Sequence, residues 1–345
     1  MKTHDKKNAA TIKDIAKMAG VDASTVSRVL NSKGYIKKET RLKVLESADI
    51  LKYIPNPAAR TLKTSKTKQI MLSIPDMNEF YFKMISVVQE IAKKNKYSLL
   101  LNFSDADEKE EIKILRNLRE NFIDGLIMIS INVTKNLIRE ISEIGHPIVL
   151  SGICNNYLSM DEQSFDYVGV DTHKGMYIAT RHLIEQGCRK IGYVGLQLNT
   201  QPGNERYGGF CQAMKDYDLE IDAKSIDTSG YSFEVGYKAA MDFIENGEMP
   251  MGICAATDLL ALGIYKAFEH KKIRVGQDVL IIGMNNTASA ILVKPEMSSV
   301  EIAQSDIGRT AAEIIFRRFK GSEEPFQNII FQPRLFARQS SLKKI

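Results

Sequence analysis

Ala23, Ser24, Thr25, Ser27 and Arg28 fall on one side of the segment ASTVSRVL, and Val26, Val29 and Leu30 fall on the other. At helical spacing this is a buried apolar stripe behind a small, polar outer face. Small residues at the start of such a helix allow close approach to base edges. Arg28 can donate two hydrogen bonds to guanine O6 and N7, worth roughly 1–3 kcal/mol of discrimination. Serine and threonine hydroxyls suit phosphate oxygens. The chemistry is recognition rather than bond-making.

The preceding residues position this face. Thr11 suits an N-cap, with Asp14 three residues later as a shortened capping box. Ile12, Ile15, Ala16 and Ala19 repeat at i, i+3, i+4 and i+7, which predicts a first helix. Gly20 supplies the turn, Asp22 can cap the second helix, and Val44, Leu45, Ala48 and Leu51 predict a third that packs back on both. Two helices around a glycine turn are the pattern of a helix-turn-helix, which sets its second helix in the DNA major groove. An ordinary three-helix bundle with a solvated face shares that spacing. Charge separates the two readings: residues 1–69 carry a net +10 and the remainder −5. A basic module coincident with these helices is what phosphate binding requires.

Residues 54–64, IPNPAARTLKT, add a short element in which Asn56 suits an N-cap and Pro57 the first helical turn. Two turns are marginal alone but can be ordered by a partner. An exposed Leu62 beside Arg60 and Lys63 suits a minor-groove wedge. A plain linker whose leucine tucks into the next domain fits the same residues.

From Gln69 the pattern changes. Apolar runs at Ile70–Ile74, Ser98–Phe103, Gly125–Ile129, Ile148–Leu150, Val168–Val170, Ile191–Val194, Gly252–Ala255 and Val279–Ile282 predict buried strands. Helical stretches such as Phe82–Asn95, Glu108–Asn121, Met176–Gln186, Tyr207–Tyr217, Phe233–Asn246 and Leu259–His270 lie between them. Strand–helix alternation implies parallel sheets covered on both faces, with ligands at the carboxyl ends of the strands.

Composition narrows the classes. At 345 residues, 44% apolar and 26% charged, the chain reads as globular. The polar, lysine-rich start predicts no signal peptide, and no apolar run predicts a membrane span. Cys154, Cys188, Cys211 and Cys254 are far apart, so reduced thiols are expected rather than disulfides or zinc. His4, His146, His173, His182 and His270 show no metal spacing. G-x-S-x-G, HExxH and P-loop motifs are absent from the sequence, so neither an enzyme nor a metal or other cofactor is expected.

In combination these residues resemble the LacI/GalR family of bacterial transcription regulators. The resemblance rests on TIKDIAKMAG, TVSRVLN and the Tyr53–Leu62 segment. It extends over almost the whole chain through IPDMNEFYF (74–82), DGLIMIS (124–130), YVGVDTHKG (167–175), KIGYVG (190–195), ERYGGF (205–210), ATDLLALG (256–263), LIIGMNN (280–286) and LFARQSS (335–341). It implies a head over 1–55 (motif about 12–31), a hinge helix and linker over 56–68, and a two-lobed periplasmic-binding-protein-like α/β domain over 69–345. The lobes would be about 69–170 plus 295–330 and about 171–294 plus 331–345, with crossings near Asp171, Pro295 and Ile330. It further implies a homodimer whose dimer face includes Phe82–Asn95 and which reads a pseudo-palindromic operator. Ala23, Ser24 and Arg28 would read the major groove, and Leu62 would enter the minor groove. Thr11, Thr25, Ser27, Asn31, Tyr35, Asn56, Ala59, Arg60 and Lys63 complete the expected DNA contacts.

A carbohydrate effector would lie between the lobes. A sugar needs bidentate donors and acceptors, which Arg206, Asp171, Asn78 and Asn285 could supply, and aromatic faces, which Phe80 and Tyr81 offer. Asp76, Ser130, Ser151 and Asp258 complete the expected set. The chain departs from the family at Ser151-Gly152-Ile153 in place of D-x-R, at Thr257-Asp258 in place of Asn-Asp, at Asn285 in place of an acidic residue and at Glu79 in place of proline. The effector is expected to be a sugar or a sugar phosphate; fewer carboxylates put an ordinary neutral hexose in doubt and favour a phosphorylated sugar or another anionic metabolite. A transporter's solute-binding protein and a regulator controlled by a protein partner are the alternative readings.

Overall fold

The structure is a computed structural model in which residues 10–31, 34–54, 66–153 and 165–343 are described. The chain divides into two compact units at Thr67/Lys68.

In the first unit α1 (Ile12–Ala19), α2 (Ala23–Leu30) and α3 (Lys38–Ile50) pack around Ile15, Ala16, Val26, Val29 and Val44. The Thr11–Asp14 capping box is complete: Asp14 N donates to Thr11 Oγ1 at 3.3 Å and Thr11 N donates to Asp14 Oδ2 at 2.8 Å. These bonds hold the Asp14 carboxyl below its ordinary range. Gly20 closes α1 at φ 65°, in the left-handed region that favours glycine. Two expectations need correction. Asp22 sits at the N-cap of α2, but only its backbone carbonyl is used, by Thr25 N and Val26 N. Leu45 does not pack inward and is 46% exposed, because Val44 takes the core position of that turn.

The second unit runs β1 (Gln69–Ile74), α4 (Glu79–Lys94), β2 (Ser98–Phe103), α5 (Glu108–Arg119), β3 (Gly125–Ile129), α6 (Lys135–Ser142), β4 (Ile148–Ile153), β5 (Asp166–Val170) and α7 (Thr172–Glu185). It continues with β6 (Ile191–Val194), α8 (Gln201–Asp216), β7 (Ile226–Asp227), α9 (Phe233–Glu245), β8 (Gly252–Ala255), α10 (Asp258–His270) and β9 (Leu280–Met284). The last elements are α11 (Ser289–Leu292), β10 (Ser298–Glu301), α12 (Gln304–Phe319), β11 (Asn328–Phe331) and β12 (Arg334–Phe336). Among the described residues the strands form two sheets, ordered β11-β5-β4-β3-β1-β2 and β12-β10-β9-β8-β6-β7. All pairs are parallel except β10 with β12. Buried runs such as Gly125–Ile129 and Leu280–Met284 fit strands covered on both faces. Helices also pack backbone to backbone: a Cβ on Gly236 in α9 would lie 2.0 Å from Leu260 O, and one on Gly263 in α10 the same distance from Phe233 O.

The chain passes between the sheets at Asp171, at Ile302–Ala303 and at Gln332–Pro333. The middle crossing lies later than the expected Pro295, because β10 pairs with β9 (Ser298 beside Ile282) and so belongs to the second sheet. Ile330 lies within β11, paired with β5, and the last crossing follows it. β7, β10, β11 and β12 were not among the expected strands. They are two to four residues long, and β11 and β12 keep no fully buried position.

Asp166, 2% exposed, ties this lobe together. Its oxygens accept from Arg318 Nε at 2.9 Å and Nη2 at 2.8 Å, and from Gln327 N at 2.9 Å. One carboxylate thus joins β5, α12 and the lead into β11. Arg318→Met leaves that carboxylate buried with the Gln327 amide but no partner charge, and should lower the urea unfolding free energy by about 3–5 kcal/mol.

Candidate functional site

On the head, Ala23, Ser24 and Arg28 are exposed, with Thr25 and Ser27 half-buried beside them. Asn31 Nδ2 donates to Ser27 O at 2.7 Å, so that amide also closes α2. Thr11 is committed to its cap, and Tyr35 is 94% exposed. Asn56, Ala59, Arg60, Leu62 and Lys63 lie outside the described residues.

In the second unit the loops that follow the strands of both sheets enclose a cavity of about 200 Å³. Parallel strands place their carboxyl ends on one edge, so these loops converge. The first lobe contributes Asp76, Asn78, Phe80 and Tyr81 after β1, Ser130 after β3 and Ser151 on β4. The second contributes Arg206 on α8, Thr257 before α10, and Asn285 and Thr287 after β9. Ile129, Val170, Leu196, Leu259, Ile302 and Ile307 make much of the remaining wall.

Local rules orient the polar groups. Asn78 caps α4, accepting from Phe80 N at 2.9 Å and donating to Asp76. Asp76 also accepts from Tyr231 OH of the opposite lobe at 3.0 Å. Phe80 and Tyr81 meet edge to face, with centroids 4.7 Å apart. Burial raises the Tyr81 hydroxyl well above its ordinary range. Ser130 Oγ donates to the Glu111 carboxylate at 3.0 Å. Glu111 is buried behind the wall, and burial pushes its carboxyl up to about 7, assisted by Glu108 and Asp107 and opposed by the Ser130 bond.

Arg206 is 6% exposed, and burial lowers its guanidinium pKa. Nη1 donates to Ala256 O at 2.6 Å, while the buried Nε has no partner among the described residues. Thr172 Oγ1 and Asn285 Oδ1 are likewise buried without partners and belong to lining residues. Buried polar atoms left unpaired are costly, so their convergence on one cavity suits a polar ligand. No histidine, cysteine or lysine lines it, and no metal-binding group occurs among the described residues.

Two expected residues lie off the wall. Asp171 is turned into the N-cap of α7, where it accepts from Lys174 N at 2.8 Å. Asp258 is buried behind the wall, accepting from Ser299 Oγ at 2.6 Å and Thr287 N at 2.7 Å. At each place the adjacent threonine, Thr172 or Thr257, faces the cavity instead. Tyr231, Thr287 and Glu111 were also not anticipated. Glu111 carries no local signal, because only the α5–β3 packing brings it to Ser130.

Two family models match the chain, "Bacterial regulatory proteins, lacI family" over residues 11–56 and "Periplasmic binding protein-like domain" over 180–341. Catabolite control protein A of Priestia megaterium is 31% identical over 96% of this chain and 99% of its own length. The transcriptional repressor PurR of Haemophilus influenzae is 32% identical over 96% and 98%. The lac repressor dimer bound to operator and an anti-inducer matches the fold with a TM-score of 0.85, at 19% identity, over 97% of this chain and all of that one. The chain belongs to the LacI family of bacterial regulators. It is a DNA-binding transcriptional regulator with a ligand-binding effector domain, not an enzyme. None of its described helices is long and apolar enough to cross a membrane.

Raising the Glu111 carboxyl from about 4.5 in the unfolded chain to about 7 favours its protonated form in the fold. That stability is present below about pH 4.5 and is lost as pH rises through about 7. Glu111→Gln removes the dependence, so the melting temperature of the variant should gain on wild type as pH is raised from 5 to 8. A constant difference would show that Glu111 does not titrate there.

Proposed function

We propose that the chain is a cytoplasmic, homodimeric repressor that reads a pseudo-palindromic operator and is switched by a phosphorylated carbohydrate in the interlobe cavity. The observation that carries the effector class is Arg206, a buried guanidinium with an unpartnered Nε. Asp258, the carboxylate that acts on it electrostatically, has its oxygens on Ser299 and Thr287. An anionic ligand group would complete Arg206 with charge-assisted bonds. The unpartnered groups of Thr172 and Asn285 suit the hydroxyls of a sugar. A solved structure of the same fold, the CelR–cellobiose complex (TM-score 0.70 at 24% identity, over 96% of this chain and 99% of that one), holds a neutral carbohydrate, which fits the sugar part of the proposal and leaves the phosphate to Arg206.

In the head, Ala23, Ser24 and Arg28 read base edges while Thr25 and Ser27 contact phosphates. Two heads on a dimer make the half-sites symmetric. Leu62 of each subunit, in the hinge, is the proposed minor-groove wedge. The effector changes lobe closure and thereby hinge spacing. A coupling of about 1–3 kcal/mol suffices for a 5–150-fold change in operator affinity.

Two experiments test this reading. Arg28→Ala should reduce the preference for operator over random DNA by roughly 1–3 kcal/mol in a competition assay. An unchanged preference removes Arg28 from the readers. Thermal unfolding against sugar phosphates and their neutral parents should yield a phosphorylated hit, stabilising by about 2.7 kcal/mol at 100 times its Kd. Arg206→Met should abolish the distinction between the hit and its parent. Equal binding of both by wild type overturns the anionic assignment.

A further inference from the structure

The first two turns of α4 touch the opposite lobe at two places. Glu79, the first residue of the helix, accepts from Ser289 N at 3.2 Å and from Ser289 Oγ at 2.6 Å. Lys83, one turn on, donates from Nζ to Asn286 O at 2.9 Å. Positions four apart share a helix face, and both contacts land within residues 286–289, which lead from β9 into the first residue of α11. Between the two, Phe80 and Tyr81 form one wall of the cavity. Asn285 and Thr287, beside the segment they grip, form the facing wall. Ser289 opens α11, which has no side-chain cap of its own. A separate bridge spans the lobes elsewhere, with Gln201 N donating to Asn132 Oδ1 at 3.0 Å.

We propose that Glu79 and Lys83 are positioning residues, a two-point clasp by which α4 holds the lobes closed over the effector. The contacts are made by the chain's own groups and place the clasp on the helix that carries the cavity's aromatic wall. Lobe closure and the position of α4 therefore change together. The role in effector binding rests on the reading of the cavity given above. The clasp itself does not, because it is measured on the free protein.

The test is amide hydrogen exchange on the full-length protein without added ligand. The Gln201 amide is the separate reporter, since its hydrogen bond crosses the lobes to Asn132 and involves neither Glu79 nor Ser289. Glu79→Ala should speed exchange at both Ser289 and Gln201 by about tenfold or more, the scale of losing hydrogen bonds to a charged group. Amides of β3 and β9 should keep wild-type rates. Glu79→Gln, which retains an acceptor oxygen, should fall between the two. Lys83→Met should move Gln201 in the same direction, and it serves if Glu79→Ala does not fold. Faster exchange at Ser289 with Gln201 at the wild-type rate in both variants would make Glu79 a helix cap only and overturn the clasp. Failure of every sugar phosphate to bind would leave this outcome unaffected.

Discussion

Parallel pairing constrains every feature of the second unit. A strand that runs parallel to its neighbour must leave the sheet at the same edge, and its chain must return through a helix. The loops after β1, β3 and β9 and the start of α10 are therefore brought to one edge of each sheet. With two such sheets joined at Asp171, Ile302–Ala303 and Gln332–Pro333, the cavity is lined from both. Ala303 takes φ 54° at the middle crossing, a left-handed conformation costly for a residue with a side chain. The surrounding strand and helix hold it there.

The cavity's electrostatics follow from burial. Removing Arg206 from water disfavours its charge, and one carbonyl partner does not replace a hydration shell. Nearby carboxylates are occupied: Asp76 by Tyr231 and Asn78, Asp258 by Ser299 and Thr287, Glu111 by Ser130. The fold satisfies these acids internally and leaves a buried cation with spare donor capacity on a cavity-lining residue.

Much of this was legible in the sequence because it depends on local rules. The Thr11–Asp14 cap, the Gly20 turn and the outer face of α2 follow from spacing alone. So do the central strands, whose apolar runs are long enough to be recognised. The cavity was legible to within one residue at two places. Asp171 and Asp258 were expected on the wall, and Thr172 and Thr257 stand there. Both placements share a cause, since an aspartate at a helix start can be taken up by backbone amides or by hydroxyls behind the wall.

The sequence by itself determined the central strands and many of the helices, a basic head whose second helix has a small, polar outer face, and the presence of two strand–helix lobes, because periodicity and capping act over a few residues. Only the tertiary structure decided which lobe owns β10, that Glu111 stands behind Ser130, and that Glu79 and Lys83 reach the 286–289 segment. Those contacts join residues separated by 16 to 210 positions. Their geometry is set by how sheets and helices pack, and no short-range pattern in the chain encodes it.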